Sequence, residues 1–129
     1  MTTVTWLGKP VPWKRTSGSG KRRYTEPAYR AWKDSFGWAA KAAHEGNPWN
    51  ESCAVAIQVA SDGVKAVFVL LSTETGLVLS PIVERPKGVR GDIDNYVKAV
   101  MDSVQKIVIT DDRLIVAVYA SFTDTIGGQ

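Results

Sequence analysis

Between Gly91 and Asp112 the chain reads GDIDNYVKAVMDSVQKIVITDD, and this stretch leaves little freedom in what can be built around it. Ile93, Val97, Val100, Met101 and Val104 recur at helical spacing, so a helix from Asp92 to about Val104 must bury one face in a core. Asp94, Lys98 and Asp102 fall four residues apart on a different face, which is left to solvent. Asp92 and Asp94 stand at the mouth of the helix, and a second acidic pair, Asp111-Asp112, follows its end. Carboxylates gathered without counter-charge repel one another, and a divalent cation held by oxygen ligands relieves that repulsion.

The rest of the chain has to supply the core. Its 129 residues, 44% of them hydrophobic, suit one domain spanning 1–129. No apolar run approaches the roughly 18 residues of a membrane span, and the start, MTTVTWLGKPVPWKR, lacks the order of a signal peptide. Cys53 is the single cysteine, so no internal disulfide forms, and a reducing cytoplasm fits best. The formal charge is only +3 but unevenly spread. Residues 1–33 carry eight cations (Lys9, Lys14, Arg15, Lys21, Arg22, Arg23, Arg30, Lys33) against one acid, Glu26. A polyanionic partner fits that asymmetry.

Thr3 to Leu7 reads as a strand, broken by Gly8, Pro10 and Pro12. WKRTSGSGKRRY, from Trp13 to Tyr24, is a Gly/Ser loop whose Lys14, Arg15, Lys21, Arg22 and Arg23 would attract phosphates. It is not a nucleotide-binding P-loop, because Arg15 and Arg22 occupy the positions that require Gly and Ser or Thr. A helix capped by Thr25 or Glu26 runs to about His44, with Trp32, Phe36, Ala39 and Ala43 as its buried stripe. His44, the one histidine, reads as a satisfied helix-end residue, and its isolation argues against histidine-based triads and zinc sites. Cys53 to Ala60 and Val64 to Leu71 read as strands joined by a two-residue Asp62-Gly63 turn, and Leu77 to Val83 as a strand interrupted at Pro81. A loop follows with Arg85, Lys87 and Arg90. Leu114 to Phe122, apolar at both alternating sets, predicts a strand covered on both faces and central in its sheet, and Thr123 to Gln129 a frayed tail. The fold class is α+β, a mixed β-sheet packed with two main helices.

Each acid has an ordinary explanation. Asp92 can cap the helix, Asp94 can complement its dipole, Lys98 can pair with either helical neighbour, and Asp111-Asp112 can form a turn. Together they permit more. A helix ending near Val104 carries the chain about 18 Å from the first aspartates. Gln105 to Thr110 could return about 20 Å if extended, with Ile107-Val108-Ile109 as the returning segment. If the return is made, Asp92, Asp94 and Asp112 form an oxygen-only site for Mg²⁺ or Mn²⁺, suited to phosphodiester hydrolysis. Lys98 would then face the charge developing on phosphorus, and the two basic loops would hold flanking phosphates.

At these residues the chain resembles the RusA family of Holliday-junction resolvases, common in phages and prophages. The resemblance rests on GDIDNYVKAVMDSVQ followed by ITDDRLIVAVYASF, with Asp-x-Asp-Asn, a lysine four residues after the second aspartate, and Asp-Asp opening a strand. It extends more weakly to the proline-rich strand exit, the basic loop and the helix containing Ala28-Tyr29-Arg30. The resemblance implies that Asp92, Asp94 and Asp112 bind the catalytic metal, that Lys98 is required, and that Asp111 is a turn or supporting residue. It implies a homodimer cutting two opposed strands of a four-way DNA junction, in recombination and repair, with Mg²⁺ or Mn²⁺. Two places depart from the pattern: Gly91 stands where some members carry a basic residue, and the middle region, with its Asp62-Gly63 hairpin and residues 73–82, is longer than usual. All five tryptophans lie in the first 50 residues, which makes that half a candidate dimer interface unless most of them are core or wedge residues, and Trp13, beside Lys14-Arg15, could instead stack on an exposed base. Three alternatives stay open: a non-catalytic branched-DNA-binding module, a metal-dependent phosphohydrolase of nucleotides, and a structural dimerisation protein.

Overall fold

The computed structural model describes residues 1–13, 27–72 and 80–127. Along the chain come β1 (Thr2–Leu7), α1 (Pro27–Ala43), β2 (Cys53–Ala60), β3 (Gly63–Leu70), α2 (Ile93–Val104), a 3₁₀ turn (Asp112–Leu114) and β4 (Ile115–Phe122). The strands form one mixed sheet in the order β1-β3-β2-β4, antiparallel except for the β2–β4 pair. This is the α+β fold that the patterning predicts, with two helices packed on a mixed sheet.

Alternation explains the sheet's inner face. Val4, Val55, Ile57, Val59, Val64 and Phe68 share one core cluster with Trp32 and Phe36 of α1 and Tyr96, Val100 and Val104 of α2. The α1 stripe differs from expectation: Tyr29 and Ala40 are buried beside Trp32 and Phe36, Ala39 is half-buried, and Ala43 is exposed. Tyr29 is drawn in by its hydroxyl, which donates to Asp102 of α2 at 2.7 Å, while Lys33 meets the same carboxylate at 3.4 Å. His44 is satisfied as expected, with Thr2 Oγ1 at 2.8 Å, the Asn47 carbonyl at 2.9 Å and Trp49 edge-on to its ring. Cys53 is buried at the start of β2, and that burial pushes its thiol pKa up.

Four expectations are corrected. The hairpin turns one residue early: Ala60 pairs with Gly63, so Ser61 and Asp62 are the turn residues and Gly63 opens β3. Gly63 is needed for approach, since a Cβ there would lie 2.3 Å from the Trp6 carbonyl oxygen on β1. The tail is anchored, because the freed Asp62 carboxylate accepts from Thr125 Oγ1 (2.6 Å) and from the Ile126 and Gly127 amides (2.8 and 3.1 Å). Ser80 to Val83 is not a strand; Ser80 pairs instead with the buried Gln58 side chain, and the Val83 amide donates to Phe122. Residues 77–79, the rest of that expected strand, lie outside the described residues. Finally, among the described residues β4 is an edge strand, its one strand partner β2, and Val116 (57%) and Val118 (47%) are exposed. Its apolar sequence on both faces is not explained by burial among the described residues.

Candidate active site

Asp92 occupies the N-cap position of α2 with extended backbone, yet its carboxylate makes no capping bond. Asp94 follows in the first turn. Both side chains project into solvent, 75% and 67% exposed. The ordinary explanation of Asp92 as a hydrogen-bonding cap is therefore not used, and its oxygens remain open to a ligand. Arg85 Nη2 approaches Asp92 at 4.0 Å and Lys98 Nζ approaches Asp94 at 3.9 Å, both through solvent-facing atoms. Pairs at such distances and exposure contribute little to stability. They do place two cations beside two carboxylates.

What fixes this turn lies beneath it. Tyr96, buried on the first turn, donates its hydroxyl to the Arg90 carbonyl and sets its ring edge-on to Phe122 at the end of β4. From the other side, the Trp13 amide donates to the Asn95 carbonyl at 3.0 Å and the Trp13 ring lies under Lys98 Nζ, 5.1 Å from its centroid. Gly91, at φ +95°, admits Pro12 where a Cβ would sit 3.0 Å from the proline ring. Glycine here answers both a left-handed backbone and a close approach. The strap formed by Lys9 to Trp13 after β1 and the loop before α2 border a cleft of about 200 Å³ that carries Lys9 and Arg90. Lys87 is exposed on the same loop. Trp13 reads from the sequence as a base-stacking candidate, but neither its place beneath Lys98 nor the Pro12–Gly91 contact has a sequence signal beyond a proline-rich strand exit.

The second acidic pair lies elsewhere. The expected return of Gln105 to Thr110 toward the helix start is not made. Instead the Lys106 amide donates to the Ile109 carbonyl, and Val108 and Thr110 bridge to Trp49 just before β2. That holds Asp111 and Asp112 at the end of the sheet where β2 and β4 begin, whereas Tyr96 and the first aspartates lie where β4 ends. The two acidic pairs are thus separated by roughly the length of α2, about 18 Å for 12 residues. Asp111 is committed locally: it caps the 3₁₀ turn through the Arg113 amide at 2.9 Å and pairs with the Arg113 guanidinium at 3.3 Å. Those contacts hold its carboxyl below the usual range. Asp112 is half-buried in the same turn. Asp102 faces α1 and takes no part.

Among the described residues no three His, Cys, Asp or Glu side chains gather in one place. Among the described residues one chain therefore offers Asp92 and Asp94, oxygen donors of the kind that suits a hard divalent cation, without a third carboxylate beside them. Lys14, Arg15, Lys21, Arg22 and Arg23 lie outside the described residues, in the segment between Trp13 and Pro27. Among the described residues no helix is long and apolar enough to cross a membrane. Compared with known proteins, residues 8–128 match the family model described as endodeoxyribonuclease RusA. No curated protein matches the chain.

Proposed function

Because the chain belongs to the RusA family of endodeoxyribonucleases, Holliday-junction resolvases, we propose that it cuts four-way DNA junctions by divalent-metal-dependent hydrolysis at the Asp92–Asp94 turn, in DNA recombination and repair. The observation that carries this reading is the pair of open, uncapped carboxylates on one rigid turn, flanked by Arg85 and Lys98. The family match favours a polymeric DNA substrate and an enzyme over the nucleotide hydrolase, binding-module and purely structural alternatives.

Asp92 and Asp94 would hold the cation, Mg²⁺ or Mn²⁺ by the hardness of the donors. Bound there, it supplies Lewis acidity and an acidified water. Arg85, Lys87, Arg90 and the cations of the Trp13–Pro27 segment bind and orient the flanking phosphates. Lys98 sets its ammonium toward the charge that builds on the phosphoryl oxygens. Asp112 would complete the carboxylate set from a second copy of the chain. The β4 edge, which pairs with no further strand among the described residues, supports this. Two identical edges related by a twofold axis pair antiparallel, which brings the start of one β4 to the end of the other. The end of β4 is where Phe122 meets Tyr96, beside Asp92 and Asp94. Such a dimer carries two sites for the two strands of one junction.

The test is cleavage of a labelled synthetic four-way junction with Mg²⁺ or Mn²⁺, beside a linear duplex of the same sequence. Paired symmetric nicks in the junction alone, abolished in Asp92→Asn and Asp94→Asn while junction binding persists, are expected. Variants that cut as well as the parent would remove the site from this reading.

A further inference from the structure

We infer that Trp13 is a positioning residue for the reaction: its indole face holds the Lys98 ammonium in place at the catalytic turn. This rests on the reading of Lys98 as the cation that faces the scissile phosphate. Lys98 is 54% exposed, and a four-carbon side chain at that exposure spreads over many rotamers unless something restrains it. Among the described residues two groups meet its ammonium, Asp94 Oδ2 at 3.9 Å and the Trp13 ring at 5.1 Å from the centroid.

The two restraints differ in kind. The carboxylate of Asp94 is the group that a divalent cation would engage, and an oxygen so engaged has less charge left for a lysine. The indole face carries no formal charge and binds no hard cation in competition, so its attraction for the ammonium persists when Asp94 is occupied. It is the contact suited to keep Lys98 beside the site during the reaction.

The ring is itself fixed from several directions. Pro10 and Pro12 limit the strap's backbone, and Pro12 lodges against Gly91, where a Cβ would crowd it at 3.0 Å. The Trp13 amide is tied to the Asn95 carbonyl, one turn before Lys98 on the same helix. Trp13 also packs, partly buried, on the core cluster. A side chain with this support transmits the position of the strap to the ammonium.

The experiment compares Trp13→Phe, which keeps an aromatic face, with Trp13→Leu, which keeps apolar bulk without one. Single-turnover junction cleavage and junction Kd are measured on the full-length protein, with Lys98→Ala as reference. Reductive ¹³C-methylation of the lysines provides a second readout, because the ring current of Trp13 displaces the Lys98 methyl signal, assigned through Lys98→Arg. Expected are near-parental cleavage in Trp13→Phe and about tenfold slower cleavage in Trp13→Leu. Kd should stay within about twofold, and the Lys98 signal should move in Trp13→Leu to the position of an exposed lysine. Parental cleavage in Trp13→Leu, or an unmoved Lys98 signal, overturns the inference. So does a loss of junction affinity matching the loss of rate, which would place the ring against DNA. Parental cleavage in Lys98→Ala overturns the role of the lysine itself and the inference with it, a result that Trp13→Leu alone cannot produce.

Discussion

At the scale of single residues, two positions tie distant segments by means that leave no mark in hydrophobic pattern. Gly63 lets β1 and β3 meet where Leu7 pairs with it, since a Cβ would stand 2.3 Å from the Trp6 carbonyl. The obstacle is backbone rather than a movable side chain, so Gly63→Ala should destabilise the fold by about 3 kcal/mol, the upper range for overpacking. The urea midpoint should fall with an unchanged slope. Asp62 clamps the C-terminal segment through one hydroxyl and two amides, led by Thr125, and these bonds hold its carboxyl below the ordinary aspartate range. A depressed folded pKa means stability that is fully present above the unfolded value of about 3.9 and is lost as pH falls through the folded value. Asp62→Asn should therefore be less stable than the parent by a constant margin above about pH 5, and that margin should close on acidification below pH ~4. Thermal unfolding across pH 2 to 7 measures it; a margin independent of pH would mean the clamp does not favour the charged form.

Among the elements, β4 departs furthest from what its sequence predicts. IVAVYASF is apolar on both alternating sets, which describes a strand buried on both sides, yet among the described residues it lies at the edge with Val116 and Val118 open to solvent. No lysine, proline or other edge guard appears between Ile115 and Phe122. Edges of this kind pair with another strand unless protected. The sequence pattern and the open edge agree if a second β4 supplies the cover. Val118→Lys should then shift sedimentation toward 14.1 kDa, the mass of one chain. It should change the stability of that chain by no more than about 0.5 kcal/mol, as an exposed substitution. A protein that stays dimeric with this lysine has its interface elsewhere. The other element-level contact, between the helices, rests on Asp102, which joins Tyr29 and Lys33 of α1 to α2. Burial of Tyr29 first, and then its bond to the Asp102 carboxylate and that group's charge, raise the Tyr29 hydroxyl well above its usual range.

For the whole molecule, the decisive fact is that α2 separates Asp92 and Asp94 from Asp112. If a site is completed across two copies, mixing Asp94→Asn with Asp112→Asn protein leaves one site in each mixed dimer with all its carboxylates. Nicking of one strand should return in the mixture, although each variant alone is inactive. A site contained in one chain gives no recovery, since every copy then carries a defective set. Charge at this scale bears on the substrate rather than the fold. With most cations in the first third of the chain and on the loop before α2, junction affinity should fall steeply as salt rises.

The elements that repeat a period, and the residue types that carry chemistry, are legible in the order of the amino acids alone. The helical face from Ile93 to Val104, the alternation of Cys53 to Ala60, and the run of Asp92, Asp94 and Lys98 are local patterns, readable because side-chain direction follows backbone period. The family was also legible, in the same stretch that its model matches. Tertiary structure decided what depends on where a segment turns. Whether Gln105 to Thr110 reverses toward the helix start or bridges to Trp49 is a matter of non-local hydrogen bonds, and it sets Asp112 at the far end of the sheet. Whether β4 is central or at an edge depends on strand order, which burial propensity does not encode. The placing of Trp13 beneath Lys98 joins a strand exit to a helix some 85 residues later, through a glycine and a proline whose contact exists only once both have folded.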